Sequence, residues 1–539
     1  MSSNKCLCLL CGLWIVFSGG TAVKGESDKE LKSQCLATMK KAAQYMVEQV
    51  STNGGYVWNY LPDFSRRWGE MEAYKTMIWV QPPGTPTMGN LFLDAYHATG
   101  DEYYYQAAKK TADALIWGQL ECGGWHYIID FAGNTSLKKW HQTIGKNGWR
   151  LEEFQHYYGN ATFDDSATSE ASRFLLRMYI EKFNPAYKYP LDKAINFVIE
   201  SQYPIGGWPQ RYPLMYEFSH HGREDYSSYL TFNDNVTGGN INFLIQCYIV
   251  LGQRRCLEPA VRGMNFYLVS QQAKPQAGWA QQYTMDLKPA GARTYEPKAL
   301  STKDTVDNIN QLITFYRMTG DGKFLDHIPD ALDWLDKCKL DKSQTADGRY
   351  LYPRFLEIGT NKPIYVHRKG SNAAYGYYYT DYNDDKLLAH SAGKIYIDVN
   401  RIRKEFEQVK KMSVEEATKN SPVLNEQFTQ DGSPQKYYSL TGSMDDLFEA
   451  NVDYKRPNME QVKYVIKELD DKGRWLSRHS VKSNPYIGDS TKTEATDEHA
   501  STRVGDKTDT SPYKDESGQD YISTETFINN MKILLDYIK

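Results

Sequence analysis

Three aspartates near the middle of the chain have the types and spacing to bind a metal ion. Asp164 and Asp165 are adjacent, and Asp234 follows about seventy residues later between Asn233 and Asn235. Ca²⁺ takes about six to eight oxygen ligands from carboxylates, amides and water, which this set would supply. Histidine and cysteine are missing from the adjacent positions, which disfavours zinc or iron. The alternative is that the aspartates only cap helices, where an acidic residue is favoured by about 0.3–1 kcal/mol, and spacing alone leaves both interpretations open.

A repeat along the sequence places these aspartates at equivalent positions. A glycine precedes an aromatic residue, directly or with one residue between, at intervals of about 70 to 80 residues: at Tyr56, Trp125, Trp208, Trp279 and Tyr350. Four tyrosines have a threonine eleven positions earlier: Thr85 with Tyr96, Thr168 with Tyr179, Thr237 with Tyr248 and Thr305 with Tyr316. Asp165 and Asp234 both stand fourteen positions before their tyrosine. Helix pairs of this period predict a solenoid or a closed ring with equivalent loops on one rim.

The composition predicts one large exported domain with an appendage. The chain has 539 residues, of which 41% are hydrophobic, enough for a large core. Lys5, an apolar run from Leu7 to Phe17 and small residues up to Ala22 resemble a secretion signal that is too short to span a bilayer. We predict a signal peptide at 1–22, a helical-repeat domain at 23–410, and a polar extension with a docking tail helix at 411–539.

The charge balance limits the partners of the protein. The formal net charge is −4 and becomes −5 without the signal, because Lys5 is the single charged residue removed. A broadly basic nucleic-acid surface is therefore excluded. We expect no nucleic-acid partner, no membrane span after signal removal, a monomer, and a secreted, periplasmic or extracellular location.

Several segments between about residues 160 and 305 share the order and similar spacing of one enzyme family: Ala167–Tyr179, Gln202–Pro213, Leu230–Asn235, and Gly278–Tyr283 with Ala292–Glu296. They resemble the pectate lyases of polysaccharide lyase family 10. Several motifs in a fixed order are more specific than one. The resemblance implies a mainly α fold, an incomplete α/α toroid of helix pairs with short β hairpins. It also implies Ca²⁺-dependent cleavage of an acidic polysaccharide, polygalacturonate, by β-elimination.

The resemblance further implies roles for individual residues. Arg293 matches the arginine thought to remove the C5 proton of galacturonate, and Asp164, Asp165 and Asp234 match metal ligands. Since the pKa of arginine is normally above about 12, we expect nearby cations or desolvation to favour its neutral form. The alternative is that Arg293 is only a carboxylate-binding cation. Candidates for substrate contact, as cations or aromatic platforms, are Trp208, Arg211, Tyr212, Tyr295, Arg354 and Arg368.

Other substrates and functions stay open at this point. Two glycines after Thr237 and the pair Pro297-Lys298 depart from the family pattern, so the substrate could be a modified pectin or another uronate polymer. An inverting glycoside hydrolase on the same scaffold would use two carboxylates about 6.5–9.5 Å apart, one on each side of a water molecule. A non-catalytic protein would bind the glycan without cleaving it. The turns before Trp125 and Trp208 are also similar to the Gln-Trp turns of terpene cyclases, but the aspartate-rich motif of those enzymes is missing.

Overall fold

A computed structural model describes residues 27–215, 225–388, 393–421, 423–424, 456–478, 480–491 and 505–539. The predicted signal peptide at residues 1–22 lies outside these ranges. Within them, no helix is both long enough and apolar enough to cross a membrane.

Pairs of α-helices make up most of the described structure. Several are capped as their sequences suggest: Asp101 and Asn184, for example, accept backbone N–H groups at the starts of their helices. The helices are α1 (Asp28–Tyr45), α2 (Thr85–Thr99), α3 (Glu102–Trp117), α4 (Asn134–Trp140), α5 (Glu152–Gln155), α6 (Ala167–Lys182), α7 (Pro185–Glu200), α8 (Val236–Leu251), α9 (Leu257–Ser270), α10 (Thr302–Thr319), α11 (Lys323–Asp326), α12 (Ile328–Lys337), α13 (Val399–Lys411), α14 (Val414–Ala417), α15 (Met459–Lys467) and α16 (Thr524–Ile538).

The helix pairs are arranged as the repeat predicts. Inner helices α2, α6 and α8 contact one another in order, and each packs against the outer helix that follows it, α3, α7 or α9. Each of those outer helices also contacts the next inner helix. Phe92, Leu175, Leu244 and Leu312, each four residues before an anchoring tyrosine, are fully buried. The predicted fold class, a mainly α incomplete α/α toroid, is confirmed.

The glycine-aromatic motif is explained by close backbone packing. Gly54, Gly123 and Gly206 adopt positive φ values of 88°, 104° and 108°. A Cβ at these glycines would lie 2.3, 2.3 and 2.2 Å from a carbonyl oxygen of α3, α7 and α9, respectively. Only glycine combines this conformation with this approach. The motif therefore fixes each loop against the outer helix of the next unit.

The threonines of the repeat hold the same loops to the inner helices. The Trp125 N–H donates to Thr168 Oγ1 at 3.1 Å, and the Trp279 N–H donates to Thr305 Oγ1 at 3.0 Å. In the third unit Thr237 instead donates to the carbonyl of Thr231 at 2.8 Å. The rim loops are thereby fixed at the N-terminal ends of the inner helices.

Short antiparallel strands join neighbouring rim loops. The strands are β1 (Asn59–Tyr60), β2 (Arg67–Trp68), β3 (Met77–Trp79), β4 (Ile128–Asp130), β5 (Ala161–Thr162), β6 (Arg211–Tyr212), β7 (Leu230–Thr231), β8 (Gln282–Tyr283), β9 (Pro289–Ala290), β10 (Leu300–Ser301), β11 (Tyr350–Pro353), β12 (Phe355–Leu356), β13 (Pro363–Lys369), β14 (Tyr377–Asp381), β15 (Lys394–Ile397), β16 (Leu476–Ser477), β17 (Val481–Lys482), β18 (Tyr513–Lys514) and β19 (Tyr521–Ser523). They pair in the orders β16-β19-β1-β2, β10-β12-β13-β14, β7-β8-β9, β3-β4, β5-β6, β11-β15 and β17-β18.

The described part of the C-terminal region adds another helix pair beside the first unit. Trp475 donates from its indole nitrogen to the carbonyl of Val465 in α15 at 2.9 Å, as Trp125 does to Leu115 in α3 at 2.8 Å. Helix α16 packs against α1 and α2, and β19 pairs with β1. A glycine also precedes Trp475 with one residue between, so this region repeats the pattern of the ring.

Candidate active site

Two turns with the same unusual backbone hold the three aspartates. Asp165 and Ser166, just before α6, have φ values of 47° and 61°, and Asp234 and Asn235, just before α8, have 51° and 57°. This left-handed region costs L-residues roughly 1–2 kcal/mol each, although aspartate and asparagine tolerate it better than most. Such strain is typical of functional sites and here turns the carboxylates of neighbouring units toward each other.

The aspartates form one compact cluster. Oxygens of Asp164, Asp165 and Asp234 all lie within 4.8 Å of one another. Asp164 is buried, and its Oδ2 accepts hydrogen bonds from the Tyr127 hydroxyl at 2.6 Å and from Gln210 Nε2 at 2.9 Å. Its Oδ1 is buried with no hydrogen-bond partner among the described residues. A cation would satisfy this oxygen, so the donor set fits Ca²⁺.

The electrostatics of the cluster also favour a cation. Burial, together with the negative charge of the other two aspartates, raises the pKa of Asp165 well above its ordinary value. Burial and the neighbouring Asp164 do the same to the pKa of Asp234. Burial alone would raise the pKa of Asp164, but the Arg293 guanidinium and donated hydrogen bonds hold it below its ordinary value. A divalent cation would offset the repulsion among the three carboxylates and so favour their ionised forms.

Arg293 faces the cluster from the segment before α10. Its Nη2 donates to Asp234 Oδ2 at 3.1 Å, and its Nη1 lies 3.6 Å from both Asp164 Oδ2 and Glu153 Oε1. Glu296 holds the guanidinium by two hydrogen bonds, from Nε at 2.9 Å and from Nη2 at 2.7 Å. The side chain is 6% exposed. The structure therefore brings Arg293 together with all three predicted metal ligands.

The surroundings of Arg293 differ from the expectation of nearby cations. Burial disfavours its charged form, but Glu296, Asp164 and Glu153 outweigh burial and raise its pKa well above the ordinary value. The prediction that cations or desolvation favour a neutral Arg293 is therefore wrong for this arrangement. Without a bound cation, the guanidinium is protonated and pairs with carboxylates.

The first unit contributes to the cluster through residues that sequence reasoning missed. Gln81 Nε2 donates to Asp165 Oδ2 and to Glu70 Oε2, both at 2.9 Å. Burial and the nearby Glu153 raise the pKa of Glu70 to about 8. The register does contain a signal for Gln81, which stands four positions before its threonine, as does Asp164.

Two adjacent glutamates behind Arg293 had no recognisable signal in the sequence. Glu152 accepts the Thr294 N–H at 3.0 Å, and burial raises its pKa to about 8. Glu153 accepts the Tyr295 hydroxyl at 3.2 Å. Both belong to the short helix α5, outside the threonine–tyrosine register, so only the folded chain brings them to Arg293.

Two of the predicted substrate contacts lie on buried side chains. Trp208 is 0% exposed, and its indole nitrogen donates to the Val198 carbonyl at 2.7 Å. A buried indole offers no face to a sugar, so the prediction for Trp208 is wrong. Arg211 is 1% exposed and lies over the rings of Tyr158 and Tyr127 at 4.2 and 5.4 Å. Arg211 is close enough to Asp164 to stabilise its carboxylate, and its predicted contact with substrate stays a prediction.

The other candidates lie at varying positions around the cluster. Tyr212 is partly exposed and packs its ring 5.9 Å from that of Phe197. Tyr295 is buried, with its ring 5.3 Å from the Arg293 guanidinium. The predicted substrate contacts of Tyr212 and Tyr295 stay predictions, and Tyr295 lies against Arg293.

The two distal arginines lie among other charged groups. Arg354 is close enough to Lys303 and Asp307 to affect their ionisation. Arg368 is buried on β13 opposite Tyr378, and burial lowers its pKa. The ring of Tyr378 lies 6.0 Å from that of Tyr295, which connects this strand to the site. Their predicted contacts with substrate carboxylates stay predictions.

Comparison with known proteins gives one family match. A protein-family model described as pectic acid lyase matches residues 130–405, just over half of the chain. This region contains the aspartates and Arg293. A search of the curated proteins gives no match.

Several solved structures match parts of the chain at low sequence identity and low structural similarity. A family 10 polysaccharide lyase from Cellvibrio cellulosa is 20% identical, with 61% of this chain and 91% of that chain covered and a TM-score of 0.36. A variant of that enzyme in complex with trigalacturonic acid is 19% identical, with 61% of this chain and 92% of that chain covered and a TM-score of 0.36. A cellobiose 2-epimerase from Bacillus thermoamylovorans is 13% identical, with 76% of this chain and 93% of that chain covered and a TM-score of 0.39. Because these TM-scores are low, the family assignment rests on the family model.

Proposed function

The chain is a polysaccharide lyase that belongs to the pectic acid lyase family, and from this premise we propose that it cleaves polygalacturonate or a related uronate glycan by Ca²⁺-assisted β-elimination. The observation that carries the proposal is the juxtaposition of a three-carboxylate cluster with one buried guanidinium. Asp234 Oδ2 lies 3.1 Å from Arg293 Nη2, and Asp164 Oδ2 lies 3.6 Å from Nη1.

Asp164, Asp165 and Asp234 would hold the calcium ion. Asp164 Oδ1, which has no hydrogen-bond partner within the described ranges, and the raised pKa values of Asp165 and Asp234 support this assignment. When bound, calcium would supply positive charge that stabilises the anion formed beside the uronate carboxylate and offsets the carboxylates around Arg293.

Arg293 is the group proposed to accept the C5 proton. Elimination breaks the C5–H and C4–O bonds and leaves a double bond between C4 and C5, while the departing oxygen takes a proton from water. Glu296 fixes the guanidinium by two hydrogen bonds, and this restricts which nitrogen atoms can face a sugar ring. Because the carboxylates favour its charged form, loss of a proton from Arg293 requires high pH or a change in the local charge. Activity should therefore increase toward alkaline pH.

The location of the protein follows from the same proposal. A polymeric uronate glycan is encountered outside the cell, and the apolar run from Leu7 to Phe17 supports export. Secretion and a monomeric state are proposed here on the sequence alone.

The test is ultraviolet absorbance of polygalacturonate incubated with the protein, with and without a calcium chelator, across pH. We expect absorbance from an unsaturated uronide in calcium and none after chelation. New reducing ends without absorbance would instead indicate a hydrolase. Binding without cleavage, in the presence of calcium and at alkaline pH, would refute the enzyme proposal.

A further inference from the structure

A cavity lies beside β4 and the residues just before β5. It has a volume of about 180 Å³ and is lined by residues that include Trp117, His126, Asp130, Tyr157 and Asn160. Among the described residues that line it, none is an aspartate of the cluster or Arg293. This volume is below the roughly 300–1,000 Å³ of pockets for drug-sized ligands. It suits a ligand of the size of one sugar ring.

Three of the lining side chains have buried polar atoms without a hydrogen-bond partner among the residues that the structure describes. The atoms are His126 Nε2, Asp130 Oδ2 and Asn160 Oδ1, and within the described part of the chain none has a hydrogen-bond partner. All three residues are at least 96% buried. Leaving a buried polar group without a hydrogen bond is unfavourable, so three such groups around one cavity indicate a ligand or ordered water.

The other polar atoms of these three side chains already make hydrogen bonds, and these bonds determine whether each remaining atom is a donor or an acceptor. Asp130 Oδ1 accepts from Thr76 Oγ1 at 2.7 Å, and Asn160 Nδ2 donates to the Pro213 carbonyl at 2.9 Å. The free atoms of Asp130 and Asn160 are therefore acceptors. His126 Nδ1 accepts the Ile128 N–H at 3.3 Å, which assigns the proton of the neutral ring to Nε2. Burial lowers the pKa of His126 well below its ordinary value, consistent with the neutral ring.

Aromatic side chains complete the cavity. Trp117 is 56% exposed, and its ring lies 4.6 Å from that of Phe131. Tyr157 is partly buried, with Lys138 Nζ 5.2 Å from its ring centroid. An exposed indole next to hydrogen-bonding groups is suited to the apolar face and the hydroxyls of a sugar.

We propose that this cavity binds one neutral sugar residue. Its hydroxyls would accept from His126 and donate to Asp130 and Asn160, while its ring contacts Trp117. The carboxylate of Asp130 would repel a uronate, so the cavity selects against the sugar of the proposed substrate. The inference goes beyond the proposed lyase activity and would hold if that activity failed its own test.

The test is saturation-transfer NMR on the full chain in the presence of a calcium chelator, with neutral hexoses, neutral pentoses and galacturonate as probes. We expect a signal from at least one neutral sugar, with a dissociation constant on the order of 1 mM. Trp117→Ala should weaken binding roughly 3- to 10-fold, and Trp117→Phe should retain most of it. Tyr189→Ala, at a 73% exposed tyrosine on α7, is the matched control and should change nothing.

Two results would overturn the proposal. If no neutral sugar gives a signal that depends on Trp117, the cavity holds ordered water only. If galacturonate gives the same Trp117-dependent signal as the neutral sugars, the selectivity assigned to Asp130 is wrong. The variant Asp130→Asn should admit galacturonate, because it removes the charge and keeps an oxygen for Thr76 and Ala132.

The neutral sugar could come free from solution or as a branch on an acidic glycan, and kinetics distinguish these sources. Trp117→Ala should raise KM for a glycan with neutral branches and leave KM for the unbranched chain unchanged if the sugar is a branch. It should change neither KM if the ligand is a free sugar. The binding measurement does not depend on cleavage, so its outcome is independent of the lyase proposal.

Discussion

The second and third units of the ring differ from the fourth at the start of their inner helices. All three have the same threonine anchor and the same position four residues earlier, occupied by Asp164, Asn233 and Ser301. Ser301 is an ordinary helix cap with extended backbone, φ −111° and ψ 125°, that accepts the Asp304 N–H. Asp164 and Asn233 instead precede pairs of residues with positive φ. The same frame thus supports either a relaxed cap or a strained turn that presents carboxylates to its neighbour.

The first unit differs from them in another way. Gln81 occupies the equivalent position. It supplies no carboxylate and instead donates hydrogen bonds to both Asp165 and Glu70. The comparison indicates that the helix pairs are a general scaffold. The proposed chemistry depends on a few rim residues in two adjacent units and on Arg293, which they face.

The largest expected effect comes from removing the guanidinium of Arg293 while the acidic turns stay in place. Arg293→Ala should reduce the rate of glycan cleavage by roughly 10²–10⁴-fold, since the proposed proton acceptor is lost. Arg255→Ala, at an exposed arginine that pairs with Asn196, should leave the rate unchanged. Initial rates from product absorbance and calorimetric binding of polygalacturonate provide the measurement. Loss of binding together with rate would make Arg293 a carboxylate clamp.

The next challenge neutralises the acids that distinguish the second and third units. Asp165→Asn and Asp234→Asn should each raise the calcium concentration for half-maximal rate by at least roughly 10–100-fold. The pKa of each of these aspartates is raised in the folded state. Near neutral pH, their ionised carboxylates therefore lower the stability of the protein when a chelator has removed calcium. Both variants should therefore melt at a higher temperature than wild type in chelator.

The control for these variants is Asp307→Asn, at an exposed aspartate on α10 that pairs with Lys303. It should keep the wild-type calcium requirement. An unchanged calcium requirement in both Asp165→Asn and Asp234→Asn would refute the metal site.

A smaller effect tests how the first unit contributes. Glu70 has a folded-state pKa of about 8, above its unfolded value of 4.5. Its contribution to stability is therefore fully present below about pH 4.5 and is lost as pH rises through about 8. In chelator, Glu70→Gln should be more stable than wild type by about 1–2 kcal/mol at pH 9, after allowance for solvent screening, and no more stable at pH 4.5. Thermal melting across pH measures the difference. If the stability of both proteins changed with pH in the same way, the raised pKa of Glu70 would be contradicted.

The smallest effect separates the frame from its chemistry. Thr168→Val and Thr305→Val each remove a hydroxyl that accepts the N–H of a rim tryptophan, so each should lower the free energy of unfolding by about 1 kcal/mol or somewhat more. Only Thr168→Val, next to an acidic turn, should also raise the calcium requirement. Denaturant melts and calcium titrations of the rate provide the comparison. A raised calcium requirement in Thr305→Val would show that the turns are not independent of the fourth unit.

Much of the fold was predictable because its periodicity is local. The glycines before the aromatic residues and the threonine–tyrosine spacing report close packing within each unit, and the structure gives both a physical cause in backbone contacts and hydrogen bonds. The position of Gln81 could have been found from the same register. Trp208 was misassigned because a glycine-tryptophan turn has the same sequence whether its indole packs inward or faces a ligand.

The sequence by itself determined the helix pairs, the turns that carry Asp165 and Asp234, and the family to which the chain belongs, because repeat spacing and motif order are properties of the linear chain. Only the tertiary structure decided that Glu152 and Glu153 lie beside Arg293, and that polar atoms around the cavity beside His126 lack hydrogen-bond partners in the part of the chain that the structure describes. Contacts between distant segments depend on how the units close against one another. The charge state of a buried group depends on every neighbour that this closure brings within reach.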